Sequence, residues 1–382
     1  MNKKDLADLR KEFKIASYVL PIKEVYSVYI KKDSGQIITN QKTPLEMMDI
    51  ETRELYLNNF KKALTGSIDS KIFELDFKKE VENSTNGILQ SALANKEDMS
   101  GFADKVIDKI IENFNYDTDI VVNFIKAEYY KGSKKDNAED YIQSIEFILC
   151  TVNKVEIPKK VLKFDYSEMA FKANSALDMP INLNSPLDGF LYPSFGSDYV
   201  DVNKCIYYSH KAKQLNDMFV QGVLDCNIKP TAAEEKESFK SILQQTLENE
   251  VDPHVLHGIY EELNERMEQQ DYEDGAETAY TVDSKEMANI LQNSGIENTE
   301  PVRNAFEDVC GGDYEFKAKN ILPDFNSKSI KIENDVLKIE VVPGHLDTIK
   351  QIRDKHGRKC LQIVLSEDVN IDGINLKTDI GE

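Results

Sequence analysis

The sequence predicts an α+β protein with a mixed amino-terminal unit, an acidic helical middle and a small antiparallel β unit at the carboxyl end. Its 382 residues exceed what one hydrophobic core usually organises. Apolar residues recur at both helical and strand spacings in the amino-terminal part, at helical spacing in the middle, and at every second position near the carboxyl end. The predicted units are residues 1–157, a loop-rich β segment over 158–230 that packs on the first unit, the acidic helices of 231–315, and the β unit of 316–382.

The first unit combines amphipathic helices with apolar strands. Residues 6–13 repeat apolar side chains at helical spacing, and residues 25–30 form a β-rich apolar run. A capping residue, a proline and a glutamate at residues 43–46 predict a second helix that continues toward Gly66. A further helix is predicted over 102–114, and strands are predicted over 120–125 and 146–152, with the polar segment 131–140 between them.

Prolines, glycines and short polar side chains punctuate residues 158–230, which predicts loops and short strands. The segment 189–198 is the most distinctive part, because aromatic residues alternate there with residues that favour turns. A strand is predicted over residues 205–208 and a helix over residues 215–224.

Negative charge is concentrated in one part of the chain. Residues 231–315 contain 22 acidic and 5 basic residues, and thus account for −17 of the net charge of −21. Capping signals in this segment predict four helices, with a polar acidic loop over residues 269–281. A field of this sign repels nucleic acid and anionic membranes and attracts cations or basic proteins. We therefore expect a protein partner with a basic surface.

Apolar and polar residues alternate after Pro323, which predicts strands. A turn over residues 354–358 predicts a hairpin in which basic side chains cluster. These side chains are Lys350, Arg353, Lys355, Arg358 and Lys359. The cluster predicts a contact with nucleic-acid phosphates or with a second partner, and the alternative interpretation is an ordinary charged hairpin.

His254, His257 and Glu261 lie on one face of a predicted helix, at a spacing that resembles a metal site. At about 100° per residue, this face is opposite the apolar face and is therefore exposed to solvent. Three ligands on one exposed helix do not close a structural metal site, so we predict no metal site and no cofactor. The sequence also lacks the patterns GxSxG, HExxH and GxGxxG, which favours a protein without enzymatic activity.

Tyr192, Ser194, Ser197 and Asp198 form a candidate pocket, because binding sites are often built on loops with small polar and aromatic side chains. Such a pocket suits a hydrolase or nuclease that uses a divalent cation held by carboxylates. In the alternative interpretation, the aromatic residues of this segment pack into the core.

The sequence predicts a cytoplasmic protein without a membrane partner. No apolar run approaches the roughly 20 residues that span a bilayer, and the amino terminus enters a charged helical pattern at once. The five cysteines are odd in number and scattered, which fits free thiols in a reducing compartment.

Six segments carry a resemblance to a known family, namely residues 2–6, 62–66, 189–195, 224–237, 358–361 and 369–375. Together they resemble an uncharacterised family of Firmicutes proteins that is catalogued as a domain of unknown function. The resemblance spans almost the whole chain and implies no catalytic residue and no cofactor. The order of the predicted units is also similar to that of bacterial nucleoid-associated proteins, which are acidic as well.

The sequence thus favours a non-enzymatic bacterial interaction protein near the nucleoid, which binds a basic partner through its acidic helices and makes a second contact through the basic hairpin. A hydrolase or nuclease with a site near residues 189–198 is one alternative. A regulatory or phage-related factor that acts through protein contacts alone is the other.

Overall fold

The computed structural model describes residues 1–79, 82–96, 98–132, 142–157, 162–173, 179–196, 199–248, 251–273 and 280–377. These residues have an α+β fold, as the sequence predicts. Helices and strands divide into two units, unit 1 (Met1–Thr231) and unit 2 (Ala232–Glu382). The segments 1–157 and 158–230 both belong to unit 1, where their strands share one sheet.

The strands of unit 1 are β1 (Glu24–Ile30), β2 (Ile37–Pro44), β3 (Ile72–Asp76), β4 (Ile120–Gly132), β5 (Ile142–Lys154), β6 (Leu162–Asp165), β7 (Ala170–Ala173), β8 (Asp188–Tyr192), β9 (Ser194–Phe195), β10 (Val200–Asp201) and β11 (Lys204–Ser209). Seven of them form an antiparallel sheet in the order β2-β1-β4-β5-β8-β11-β3. β4 and β5 pair along their whole length at the centre of this sheet. β6 pairs with β7 and β9 pairs with β10 outside it.

Helices cover both faces of the seven-stranded sheet. They are α1 (Lys3–Glu12), α2 (Ile50–Lys62), α3 (Thr85–Ala94) and α4 (Met99–Glu112). α1 and α2 contribute to the core on one face, and α3 and α4 contribute to the core on the other. Side chains alternate between the two faces along β5, so Phe147 and Leu149 join the first core while Ile148 and Cys150 join the second. Burial on both faces explains why the central strands are apolar almost throughout.

The predicted start of the second helix is wrong. Residues 43 and 44 end β2, where they pair with β1, and a 3-10 turn follows at Leu45–Met47. α2 begins at Ile50, after Asp49, whose side chain accepts a hydrogen bond from the N–H of Thr52. Strand pairing therefore overrides the capping signal at residues 43–46.

The segment 189–198 contains strands where a loop was expected. β8 lies between β5 and β11, so all five of its residues are buried, and β9 follows after Pro193. The strand predicted over residues 205–208 is confirmed as part of β11. The helix predicted over residues 215–224 is shorter than expected and contains a π-helical turn, Phe219–Val223.

The helices of unit 2 are α5 (Ala232–Thr246), α6 (Pro253–Glu273), α7 (Ser284–Asn293), α8 (Glu300–Cys310) and α9 (Ala318–Ile321). Their apolar faces meet in one core that includes Phe239, Phe306 and Phe316. α8 ends at Gly311, whose φ of 72° lies in the left-handed region that glycine adopts easily. The loop predicted over residues 269–281 begins later than expected, because α6 continues to Glu273; residues 274–279 lie outside the described residues.

The strands of unit 2 are β12 (Thr281–Val282), β13 (Phe316–Lys317), β14 (Ile330–Glu333), β15 (Lys338–Val341), β16 (Ile349–Arg353), β17 (Lys359–Ile363), β18 (Asn370–Ile371) and β19 (Ile374–Asn375). They form separate antiparallel pairs: β12 with β13, β14 with β15, β16 with β17, and β18 with β19. A 3-10 helix, Pro343–Thr348, precedes β16. The antiparallel strands predicted after Pro323 are confirmed.

Candidate functional site

A cleft of about 330 Å³ lies between α5 and α8 in unit 2. Two carboxylates and three amides form its polar walls, beside two small apolar side chains. The lining residues are Gln245, Asn298, Glu300, Pro301, Asn304, Ala305 and Asp308. Because α5 and α8 pack against each other, the core of unit 2 fixes the position of these walls.

α8 presents a polar face because of the spacing of its residues. Glu300, Asn304 and Asp308 are four positions apart and therefore lie on one side of the helix. Val302 and Phe306 lie on the other side and are buried. The helix thus holds its carboxylates toward the cleft while its apolar residues anchor it to the core.

Four carboxylates on α8 and just before it form no ion pair with any residue that the structure describes. Glu300 and Asp308 line the cleft, Glu307 lies on the same helix and Glu297 precedes it, and we name these four the acidic face of α8. Glu262 of α6 and Glu286 of α7 differ, since both bind Arg266. Thr246, which follows the cleft residue Gln245, is 6% exposed, and its hydroxyl has no hydrogen-bond partner within the described ranges.

Chemically, the cleft offers many hydrogen-bond acceptors and a negative charge. Carboxylate and amide oxygens accept hydrogen bonds from the ammonium group of lysine or the guanidinium group of arginine, and the charged pairs are the stronger ones. Pro301 and Ala305 give the aliphatic stem of such a side chain an apolar surface.

β16 and β17 form the hairpin that the sequence predicts, with paired residues from Ile349 and Ile363 to Arg353 and Lys359. In the turn, Asp354 Oδ1 accepts hydrogen bonds from the backbone N–H groups of residues 356 and 358. The turn also needs a residue that tolerates a positive φ, which Gly357 adopts at 77°. We name residues 349–363 the basic hairpin.

The predicted contact side chains of the basic hairpin fall into two groups. Arg353 donates to the carbonyl oxygen of Gly357 at 3.0 Å, and Arg358 pairs with Asp354 at 2.6 Å, so both are held within the hairpin. The exposed side chains of Lys350, Lys355 and Lys359 form no ion pair in the described parts of the chain. Arg353 also stands directly opposite Lys359, and like charges in that position weaken a strand pair.

Tyr192 and Ser194, two of the four candidate pocket residues, are buried in unit 1. The hydroxyl of Tyr192 donates to the carbonyl oxygen of Val202 at 3.2 Å, and Ser194 Oγ donates to Glu74 Oε1 at 2.5 Å. Ser197 and Asp198 lie outside the described residues. The two described side chains therefore pack in the core, which is the alternative that the sequence left open.

Glu74 accepts a second bond, from the Met1 amino group at 2.6 Å. Burial raises the pKa of Glu74, but the ammonium charge and the bond from Ser194 outweigh it, so this pKa lies below its usual value.

A second cleft, of about 380 Å³, lies near the start of α3 in unit 1. Its charged walls have both signs, since Asp76 faces it together with Lys78 and Lys79. Tyr192 and Ser194 are not among the side chains that line it. The cleft therefore gives no geometric support to a catalytic site at residues 189–198.

Three donors, one of them buried and two half-buried, surround the buried carboxylate of Asp188. Tyr116 Oη and Asn216 Nδ2 donate to its Oδ2 at 2.9 and 2.8 Å, and Tyr207 Oη donates to its Oδ1 at 2.5 Å. Burial raises the pKa of Asp188 although these hydrogen bonds act in the opposite direction. No sequence pattern indicates this cluster, because its donors lie 72, 28 and 19 positions from Asp188.

His257 is half-buried, whereas the sequence places it on the solvent face of its helix. Its Nδ1 lies 3.2 Å from the carbonyl oxygen of Pro343, which only accepts, and its Nε2 lies 3.3 Å from Glu261 Oε2. His257 therefore connects α6 with the 3-10 helix before β16. Across the described ranges, no three His, Cys, Asp or Glu side chains are grouped so that they could hold a metal ion.

The fold and these surfaces define an α+β protein with an acidic and a basic surface in its second unit. Residues 1–374 match a family described as "Domain of unknown function (DUF4317)". The chain belongs to this family, which confirms the resemblance to a family of unknown function. A comparison with curated proteins finds no match.

None of the helices in the described residues combines the length and the apolar character needed to cross a membrane.

Proposed function

We propose that this protein is a non-enzymatic binding protein whose acidic helices receive lysine or arginine side chains of a basic partner. One observation carries the proposal: the cleft beside the acidic face of α8 is rich in acceptors, and its carboxylates lack ion-pair partners in the described chain. The basic hairpin supplies a second contact, with an anionic surface. In this proposal the protein acts in the bacterial cytoplasm, near the nucleoid.

Electrostatic interactions support binding at the acidic face of α8 both at long range and at direct contact. The charge of −17 over residues 231–315 attracts a basic partner at a distance and raises the rate of encounter. At contact, Glu300 and Asp308 accept hydrogen bonds from a cationic group, while the amides of the cleft fix its orientation. Attraction beyond the screening length is weakened by salt, whereas a contact at hydrogen-bond distance is screened less.

The double substitution Glu300→Lys and Asp308→Lys is expected to lower the affinity for a synthetic lysine-rich peptide at least about tenfold. The reason is that it removes a charge-assisted contact of about 1.4 kcal/mol or more, and about 1.4 kcal/mol corresponds to a tenfold change in affinity. Fluorescence anisotropy with a labelled peptide measures this affinity.

Glu265→Lys with Glu268→Lys is the matched control, because both residues are exposed on α6 and the change in net charge is identical. We expect the control to weaken binding much less. An equal loss in both double variants would show that net charge alone attracts the peptide and would remove the cleft from the proposal.

A further inference from the structure

The basic hairpin and the residues after it lack a core of their own. Ile349 is buried, but among the described side chains of residues 350–377 none is. Several of these side chains are apolar: Ile352 is 41% exposed and Val364 is 67% exposed. Isolated two-stranded hairpins are marginally stable in water, so contact with another surface would stabilise this one. The hairpin therefore has the character of a docking element.

The positive charge of the hairpin favours docking on an acidic surface. Residues 350–359 contain five basic residues and one acidic residue, in a chain whose net charge is −21. Three of the basic side chains, Lys350, Lys355 and Lys359, are exposed and unpaired in the described chain. The acidic face of α8 has the opposite charge and also lacks ion-pair partners there. Within the described residues, no ion pair joins the hairpin to this face in one chain.

We propose that the basic hairpin of one copy docks on the acidic face of α8 in a second copy. The inference rests on the proposed function, because it uses the same cleft and identifies the basic hairpin of a second copy as the basic surface that the cleft receives. Each copy carries both surfaces, so a pair with twofold symmetry forms the contact twice and is closed. A lysine of the hairpin enters the cleft, and Ile352 and its apolar neighbours lose contact with water.

Complementarity between the two surfaces favours a second copy as the occupant. Three unpaired ammonium groups on the hairpin meet four unpaired carboxylates on and beside α8, so each ammonium group has a carboxylate available. The overall negative charge opposes association at long range. At about 0.15 M salt the screening length is about 8 Å, so this repulsion is weak while close pairs persist.

Two charge-reversal variants test the contact. The hairpin variant carries Lys350→Glu, Lys355→Glu and Lys359→Glu, and the helix variant carries Glu300→Lys, Glu307→Lys and Asp308→Lys. Light scattering coupled to gel filtration is expected to give the wild type twice the chain mass of 43.6 kDa, and each variant alone the mass of one chain. An equimolar mixture of the variants is expected to restore the double mass, because both contacts of the mixed pair then join opposite charges.

Far-UV circular dichroism checks that both variants fold, and the set Lys350→Gln, Lys355→Gln and Lys359→Gln provides a milder hairpin variant that is also expected to be monomeric. A monomeric wild type, or a mixture of charge-reversal variants that stays monomeric, overturns the inference. So does a wild-type dimer that the hairpin substitutions leave intact while they abolish binding to duplex DNA, since the hairpin would then serve nucleic acid.

The lysine-rich peptide separates this inference from the proposed function. If the wild type is monomeric but binds the peptide through Glu300 and Asp308, the acidic face is a binding site and only the second copy is the wrong partner. If the wild type neither dimerises nor binds the peptide, the proposed function fails as well.

Discussion

Asp188→Ala is expected to lower the free energy of unfolding of unit 1 by about 3–5 kcal/mol. The substitution removes the acceptor for the hydroxyls of Tyr116 and Tyr207 and for the side-chain amide of Asn216. Asp188 is 2% exposed and Tyr207 is 0% exposed, so solvent does not reach this pair in the folded state, whereas Tyr116 and Asn216 are half-buried. Each buried donor without an acceptor costs about 1–3 kcal/mol. Denaturant unfolding followed by circular dichroism measures the loss, and hydrogen exchange in β8 assigns it to unit 1.

Asp188→Asn is the matched control, because it keeps the shape of the side chain and removes its charge. The pKa of Asp188 is raised above its ordinary value of 3.8 in the folded protein, so the folded state binds the proton more tightly than the unfolded state. The stabilisation that wild type gains from this proton is complete below pH 3.8 and is lost as the pH rises through the folded pKa.

The stability of wild type relative to Asp188→Asn is therefore expected to fall with rising pH across this interval, by at most about 1.4 kcal/mol per pH unit. Unfolding curves for both proteins at a series of pH values measure the difference. A difference that is independent of pH from 3.8 upward would show that the carboxyl group ionises in the fold as easily as in the unfolded chain.

The sequence predicts surfaces that are built from neighbouring residues, but not surfaces that are built from residues far apart in the chain. The basic hairpin depends on a turn and on alternation within about fifteen residues, so the sequence alone indicates it. The acidic character of α8 is also visible from composition. The cleft itself is not, because Gln245 comes from a different helix and only the packing of α5 on α8 brings it to Glu300.

Local signals fail where the central sheet decides the conformation. Pro193 and Gly189 favour a turn, yet β8 pairs on both sides, with β5 and with β11, and buries every side chain. The capping signal at residues 43–46 fails for the same reason, since pairing with β1 extends β2 through Pro44. In both places hydrogen bonds between distant strands outweigh a preference of a few neighbouring residues.

A buried polar cluster joins α2 to the central sheet of unit 1. Asn59, Asn123, Thr151 and Asn153 are each 0% exposed. Asn59 Nδ2 donates to Asn153 Oδ1 at 2.6 Å and to the carbonyl oxygen of Leu183 at 2.8 Å, while Thr151 Oγ1 donates to Asn59 Oδ1 at 2.6 Å. Asn59 therefore bonds to two fully buried side chains and to the carbonyl oxygen of a half-buried residue.

Asn59→Ala is expected to lower the free energy of unfolding by about 3–5 kcal/mol, because it leaves several buried polar groups without partners at once. Alanine favours a helix more than asparagine does, so the helix itself gains slightly and the loss arises from the cluster. The neighbouring Asn58 is exposed on the same helix, and Asn58→Ala is expected to change stability by less than about 0.5 kcal/mol. Denaturant unfolding of the two variants, with hydrogen exchange in α2 and β5, measures both effects. Equal effects of the two substitutions would place the change in α2 itself and would deny the buried cluster a role in holding α2 on the sheet.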